Sequence, residues 1–126
     1  MKDTLINAAM KARKNAYAPY SHFKVGAALM TDSNEVYTGC NIENSSYPLT
    51  CCAERVAIFK AVSEGHTSFQ AMAIIGDSEQ AISPCGACRQ VMAQFLQQDV
   101  PIYLTNLTGH LEITNIEDLL PGAFQL

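Results

Sequence analysis

Phe69-Gln70-Ala71-Met72-Ala73-Ile74-Ile75 is a run of strand length that is apolar at every position but one. A strand with one wet face alternates polar and apolar residues. This one does not, so both of its faces must be covered and it belongs in the middle of a sheet. Gly76-Asp77 then ends it with turn chemistry. Covering a sheet on both sides takes helices, and the sequence on either side of this run supplies them.

Upstream, Cys52 to Glu64 reads as a helix stopped by Gly65, and its middle (Val56, Ala57, Ile58, Phe59, Ala61, Val62) is apolar almost all round. A single sheet face cannot use all of that surface, so part of this helix is expected to meet another subunit. Before it, Asn41 to Thr50 is polar and irregular, which marks a loop. Phe23, Val25, Ala27 and Leu29 alternate, Thr31-Asp32-Ser33-Asn34 turns the chain, and Val36-Tyr37-Thr38 resumes a strand, so these segments predict a hairpin. Between Thr4 and Tyr17, Leu5, Ala8, Ala9, Ala12 and Ala16 recur at helical spacing, with Asp3 as the expected N-cap and Pro19 as terminator.

Downstream, Cys88, Val91, Met92, Phe95 and Leu96 lie on one face of a helix that starts near Cys85. Ile102 to Thr105 and Leu111 to Thr114 are strands joined by only five residues, too few for a parallel crossover, so they should pair antiparallel. Thr114-Asn115-Ile116-Glu117 offers a capping box for a last short helix that Pro121-Gly122 stops. The expected fold class is α/β: a three-layer α-β-α arrangement around a mixed sheet of about five strands, the last two antiparallel.

A chain of 126 residues fits one domain, residues 1–126, and 48% hydrophobic against 16% charged residues excludes disorder. The net charge is -4 and the basic residues do not cluster, which argues against a nucleic-acid partner. No apolar stretch approaches the roughly 20 residues of a membrane span, and Met1-Lys2-Asp3-Thr4 opens a polar-faced helix rather than a signal peptide. No membrane association and a cytoplasmic location are therefore expected. In that reducing compartment the five cysteines, Cys40, Cys51, Cys52, Cys85 and Cys88, are not expected to form disulfides.

Two pieces carry chemistry: Cys52-Ala53-Glu54 at the start of one predicted helix and Pro84-Cys85-Gly86-Ala87-Cys88 at the start of the next. Cys-x-x-Cys alone fits a redox pair or half of a zinc site. A Pro-Cys-x-x-Cys element joined to a ligand-x-Glu element is the signature of zinc deaminases, in which a Glu that does not bind the metal moves protons. Three thiolates suit zinc and leave its fourth position open to water, as catalysis requires. Both clusters sit where helix dipoles favour the thiolate. Glu54 is two residues from a ligand, close enough to reach the metal's water and poorly placed to bind the metal itself.

With these pieces in place, the chain resembles the small, homotetrameric, zinc-dependent cytidine deaminases over nearly its whole length. The resemblance rests on Tyr20-Ser21-His22-Phe23-Lys24-Val25-Gly26-Ala27-Ala28, Cys40-Asn41-Ile42-Glu43-Asn44, Cys52-Ala53-Glu54-Arg55, Ser83 to Arg89 and Leu120-Pro121-Gly122-Ala123-Phe124. It implies a cytidine deaminase-like domain with one Zn2+ per chain on Cys52, Cys85 and Cys88. Glu54 would be the proton carrier, and Arg55 would lie near the thiolates. Phe23 would pack beside the pyrimidine, and Asn41 and Glu43 would hold the ribose 3′-hydroxyl. The Ala53 N–H would meet the base carbonyl, the Ser83 carbonyl the exocyclic amine, and Phe124 would reach into a neighbouring subunit's site. The implied reaction is hydrolysis of cytidine, and of deoxycytidine, to uridine or deoxyuridine and ammonia, in pyrimidine salvage. The implied partners are a free pyrimidine nucleoside and three further copies of the chain, with shared active sites.

Plainer readings stand beside these. Cys40 and Cys51 read as buried small residues, although Cys51, next to Cys52, leaves a ligand swap open. His22, His66 and His110 have no motif partner. Phe23 suits a core position, Asn41 and Glu43 suit a solvated turn, and Arg55 and Arg89 suit a helix surface. A blasticidin-type deaminase shares the metal chemistry. A structural zinc domain would take Cys40 or Cys51 as a fourth ligand and leave Glu54 unexplained.

Overall fold

A computed structural model describes residues 1–126. In chain order the elements are α1 (Lys2–Arg13), β1 (Val25–Thr31), β2 (Val36–Cys40), a 3-10 turn (Tyr47–Leu49), α2 (Ala53–Ser63), β3 (Phe69–Gly76), α3 (Gly86–Phe95), β4 (Ile102–Asn106), β5 (Leu111–Thr114) and α4 (Ile116–Leu119). The five strands form one sheet in the order β2-β1-β3-β4-β5, so the apolar run of β3 is its central strand. β3 and β4 are parallel, and every other neighbouring pair is antiparallel, including β4 with β5. A mixed sheet results.

Successive residues of β3 feed opposite cores. Met72 and Ile74 join one cluster with Ala57, Ile58 and Ala61 of α2 and Met92 of α3, while Ala71, Ala73 and Ile75 join Leu5 and Ala9 of α1 on the other side. The three layers follow directly from that alternation. β1 is buried along its whole length, because α1 covers the face that carries Ala28 and Met30 while α2 covers Ala27 and Leu29. The apolar alternation of Val25, Ala27 and Leu29 therefore marks one of two packed sides rather than a dry side opposite a wet one.

Helix ends depart from the sequence reading in two places. α1 begins one residue before Asp3, which lies inside the first turn and caps nothing by its side chain, and the helix ends at Arg13, short of Pro19. Asp3 still favours that end, as a negative charge near the positive pole of the helix dipole. At α4 the cap is Asn115, whose side chain accepts from the Asp118 N–H at 2.9 Å, rather than Thr114. Gly65 ends α2 as expected: it adopts φ 96°, and the next N–H, of His66, returns to the Ala61 carbonyl at 3.0 Å.

α2 lies against β1 and β2 with almost no separation at its start. A Cβ on Gly39 would fall 2.5 Å from the Ala53 carbonyl oxygen and 2.6 Å from the Ala57 nitrogen, so strand and helix meet backbone to backbone. The buried face of α2 consists of Ala53, Glu54, Ala57, Ile58 and Ala61, and Phe59 on another face is 47% exposed. No helix is long and apolar enough to cross a membrane.

Candidate active site

Cys52 is the N-cap of α2 and Cys85 is the N-cap of α3, so the two sequence clusters occupy equivalent positions on neighbouring helices. Cys88 lies one turn into α3 and is fully buried. The sulfur of Cys85 is 3.2 Å from that of Cys88 and 3.8 Å from that of Cys52, and all three lie within 4.8 Å of one another. A tetrahedral zinc with metal–sulfur bonds of about 2.3 Å needs sulfurs roughly 3.8 Å apart, so this donor set fits zinc in both softness and spacing. Cys40 and Cys51 are half-buried rather than fully buried, all five cysteines are free thiols, and neither of these two joins the cluster.

The sulfurs share charge unevenly. The thiol of Cys88 donates to Cys52, which brings Cys52 down to about 5 with help from Arg55 and Cys85. Cys88 is pushed far up for the same reason, since it gives its hydrogen to Cys52 and is also buried. Three sulfurs this close cannot all ionise without a cation between them, and the first thiolate belongs to Cys52. Arg55 reaches it: Nη2 donates to Cys52 Sγ at 3.5 Å and to the Thr50 carbonyl at 3.4 Å, while Nε is buried without a partner.

Glu54 is only 4% exposed, and burial raises its carboxyl above the usual range, with the neighbouring Cys52 charge adding to the effect. A carboxyl whose proton is held more tightly than usual, beside a metal-binding cluster, is suited to carrying protons.

A cavity of about 280 Å³ opens beside the sulfurs, lined by residues that include Phe23, Asn41, Glu43, Cys52, Ala53, Glu54, Ser83 and Cys85. Phe23 precedes β1 and faces this cavity, so it is not a core residue of the strand. Asn41 bridges backbone, Oδ1 accepting from the Val25 N–H at 2.9 Å and Nδ2 donating to the Phe23 carbonyl at 2.7 Å. Glu43 accepts from the N–H groups of Tyr20 and Ser21 at 3.0 and 3.1 Å and from the Ser21 hydroxyl, which lowers its pKa and keeps it ionised. Asn41 and Glu43 thus lock the 20–25 segment against the cavity and are more than turn residues.

Arg89 is likewise engaged, holding the carbonyls of Pro84 at 2.9 Å and Leu119 at 2.8 Å. Phe124 stands apart from the cavity of its own chain, 67% exposed, with its carbonyl accepting from Gln90 at 3.3 Å. His66 pairs with Glu35 at 3.4 Å and lies over Tyr37, far from any metal-binding role. Sequence reading missed the tie from Ser83 to Arg89, whose Nη2 donates to the Ser83 hydroxyl at 2.8 Å. The signal was their separation of six residues around a helix start.

Comparison with known proteins agrees with this arrangement. The family model described as the cytidine and deoxycytidylate deaminase zinc-binding region matches residues 1–104. The chain is 57% identical over 122 residues to a cytidine deaminase of Sporosarcina psychrophila, covering 97% of this chain and 90% of that protein. It is 50% identical over 123 residues to a cytidine deaminase of Halalkalibacterium halodurans, covering 98% and 93%. The crystal structure of a cytidine deaminase from Burkholderia pseudomallei superposes with a TM-score of 0.96 at 49% identity, covering 98% of this chain and 99% of that one.

Proposed function

The chain belongs to the cytidine and deoxycytidylate deaminase family, and from that premise we propose that it hydrolyses cytidine and deoxycytidine to the corresponding uridines and ammonia, using one Zn2+ held by Cys52, Cys85 and Cys88. The observation that carries this reading is a single cavity bringing a buried, easily protonated Glu54 together with the sulfur cluster and a set of polar groups suited to a nucleoside.

Zinc held by Cys52, Cys85 and Cys88 would supply Lewis acidity and would make the attacking water more acidic. Glu54 accepts a proton from the attacking water and delivers it to N3 of the base, then takes the second proton from the new hydroxyl at C4 and passes it to the amino group, which departs as ammonia. Its burial raises the carboxyl's affinity for a proton, which suits a group that must take one up and pass it on. The net change replaces the 4-amino group by oxygen, with water consumed and ammonia released.

The remaining roles follow from hydrogen-bond capacity. Asn41 Nδ2 has two hydrogens and spends one on Phe23, and Glu43 Oε2 has a lone pair beyond the one Ser21 uses. A hydroxyl that accepts from the first and donates to the second satisfies both, which suits the 3′-hydroxyl of a ribose. Phe23 offers its ring to the pyrimidine, Ala53 its N–H to the base carbonyl, and Ser83 its carbonyl to the exocyclic amine. No residue of this set reads the 2′ position, so both sugars are accepted.

Assembly as a homotetramer completes the site with Phe124 from a neighbouring chain. Support comes from the exposed Phe59 of α2 and from the exposed Tyr47 and Leu49 near the cavity mouth, surface that a second copy would cover. Three catalytic sulfurs need a reducing compartment, which favours a cytoplasmic place in pyrimidine salvage. The test is direct. The purified protein is expected to consume cytidine, followed by ultraviolet absorbance, to stop when a chelator strips zinc and to resume when zinc is restored. A protein that holds zinc and leaves cytidine unchanged would overturn the proposal.

A further inference from the structure

Asn106 closes β4 at 2% exposure and lies outside the groups described so far. In the parallel register it pairs with Gly76, so these two residues mark the carboxyl ends of adjacent parallel strands, the edge at which α/β sheets place their crevices. Its side-chain oxygen accepts from the backbone N–H of Thr108 at 3.1 Å and of His110 at 2.9 Å, and those two donors fix which end of the amide is oxygen. Nδ2 is thereby turned toward the connection between β3 and α3. It donates to the carbonyls of Ser78 at 2.9 Å and Glu79 at 3.0 Å, and His110 Nδ1 lies 3.0 Å from the same nitrogen.

That connection, residues 77–85, has no helix or strand of its own, yet it walls the cavity with Ile82, Ser83 and Cys85. Its far end is tied down independently, by Arg89 and by the N-cap of α3. Its near half has one other hydrogen bond to the sheet, a 3.4 Å contact from the Ile82 N–H to the Thr105 carbonyl. Ile82 in turn rests on Gly76. A Cβ there would fall 2.5 Å from Ile82 Cδ1 and 3.1 Å from Phe23 Cζ, so two cavity-lining side chains both occupy the space over a residue that has none.

We propose that Asn106 is a positioning residue for substrate recognition: by holding the Ser78 and Glu79 carbonyls it seats Ile82 against Phe23 and so sets the width of the cavity between them. The inference rests on reading that cavity as the nucleoside site. Without the amide donor, the Ser78 and Glu79 carbonyls lose their tie to the sheet and the near half of the connection relaxes toward water. Ile82 then leaves its seat, while Cys85, anchored from the other end, stays with Cys88 and Cys52. Substrate binding suffers and metal binding does not.

Asn106→Asp separates the two sides of the residue. It keeps an oxygen for Thr108 and His110 and turns a second, repelling oxygen on Ser78 and Glu79. The expected result is a KM for cytidine raised about tenfold or more, with zinc content unchanged and kcat within about threefold of wild type. Thr108→Val, which removes a hydroxyl bond on the hairpin side only, is expected to lower Tm and leave KM alone. Added to Ile82→Ala, Asn106→Asp should raise KM little further, because both act through one side chain. Should Asn106→Asp not accumulate as folded protein, Asn106→Ser, neutral and smaller, is measured the same way.

A wild-type KM in Asn106→Asp or Asn106→Ser, with only Tm lowered, would make Asn106 a support of the hairpin and overturn the proposal. So would a KM effect that adds in full to that of Ile82→Ala. A wild-type enzyme that does not turn over cytidine would remove the nucleoside reading itself, and this inference with it.

Discussion

Arg55 Nη2 lies 3.5 Å from Cys52 Sγ, and the hydrogen bond to that sulfur raises the pKa of a guanidinium that is already charged. Three thiolates carry one more negative charge than Zn2+ can cancel, which blunts the metal's power to acidify water; a cation donating to sulfur draws part of that excess away. Arg55→Ala is therefore expected to move the acid limb of the pH–rate profile upward, since the proton that must leave is then held more tightly, and to lower turnover. Steady-state rates across the pH range check this, and an unshifted limb would return Arg55 to the status of a helix-surface charge.

Glu54→Gln keeps the shape of the buried side chain and removes its capacity to carry a proton. Zinc content and Tm should stay near wild type while turnover falls by roughly 10²–10⁴-fold, the usual contribution of a positioned acid–base group. Turnover above about a tenth of wild type in single-turnover assays would show that some other group moves the proton.

X-ray absorption at the zinc edge should count three sulfur neighbours and one lighter atom. Four sulfurs would bring in Cys51 or Cys40 and turn the site from catalytic to structural. Stripping the zinc should expose one thiolate ahead of the rest. With Cys52 down to about 5, alkylation near pH 6.5 followed by mass mapping should label Cys52 before Cys40 or Cys51, and zinc should protect it.

Phe124, absent from the cavity of its own chain, is expected to act in that of a neighbour. Glu54→Ala chains and Phe124→Ala chains are then damaged in different sites of a mixed oligomer, and some sites combine an intact Glu54 with an intact Phe124. Co-refolding the two should recover activity above the sum of the separate preparations. A simple sum, in oligomers confirmed to have exchanged subunits, would place Phe124 outside the shared site.

The order of layers was legible because β3 carries no polar face and because the five residues Asn106 to His110 leave no room for a crossover. The halves of the metal cluster were legible because Cys-Ala-Glu and Pro-Cys-x-x-Cys are contiguous in sequence, and each sits at a helix start where the chain must change direction anyway. Asn106 was not. A buried amide whose partners are two carbonyls from an irregular segment leaves no periodicity and no spacing to read. Asp3 misled for the opposite reason: an acidic residue favours the first turn as well as the cap, and composition alone does not separate the two.

Gly39 touches neither the metal-binding sulfurs nor the cavity, but the first turn of α2 rests on it, and that turn carries Ala53 and Glu54 with Cys52 as its cap. The sheet works as a gauge whose setting is a missing methyl group. A single carbon added there would lift one jaw of the chelate away from the other, which α3 holds at a fixed height. The spacing of the three sulfurs is thus coupled to a strand that does not touch them, and a packing change in β2 is expected to reach the cluster through the start of α2.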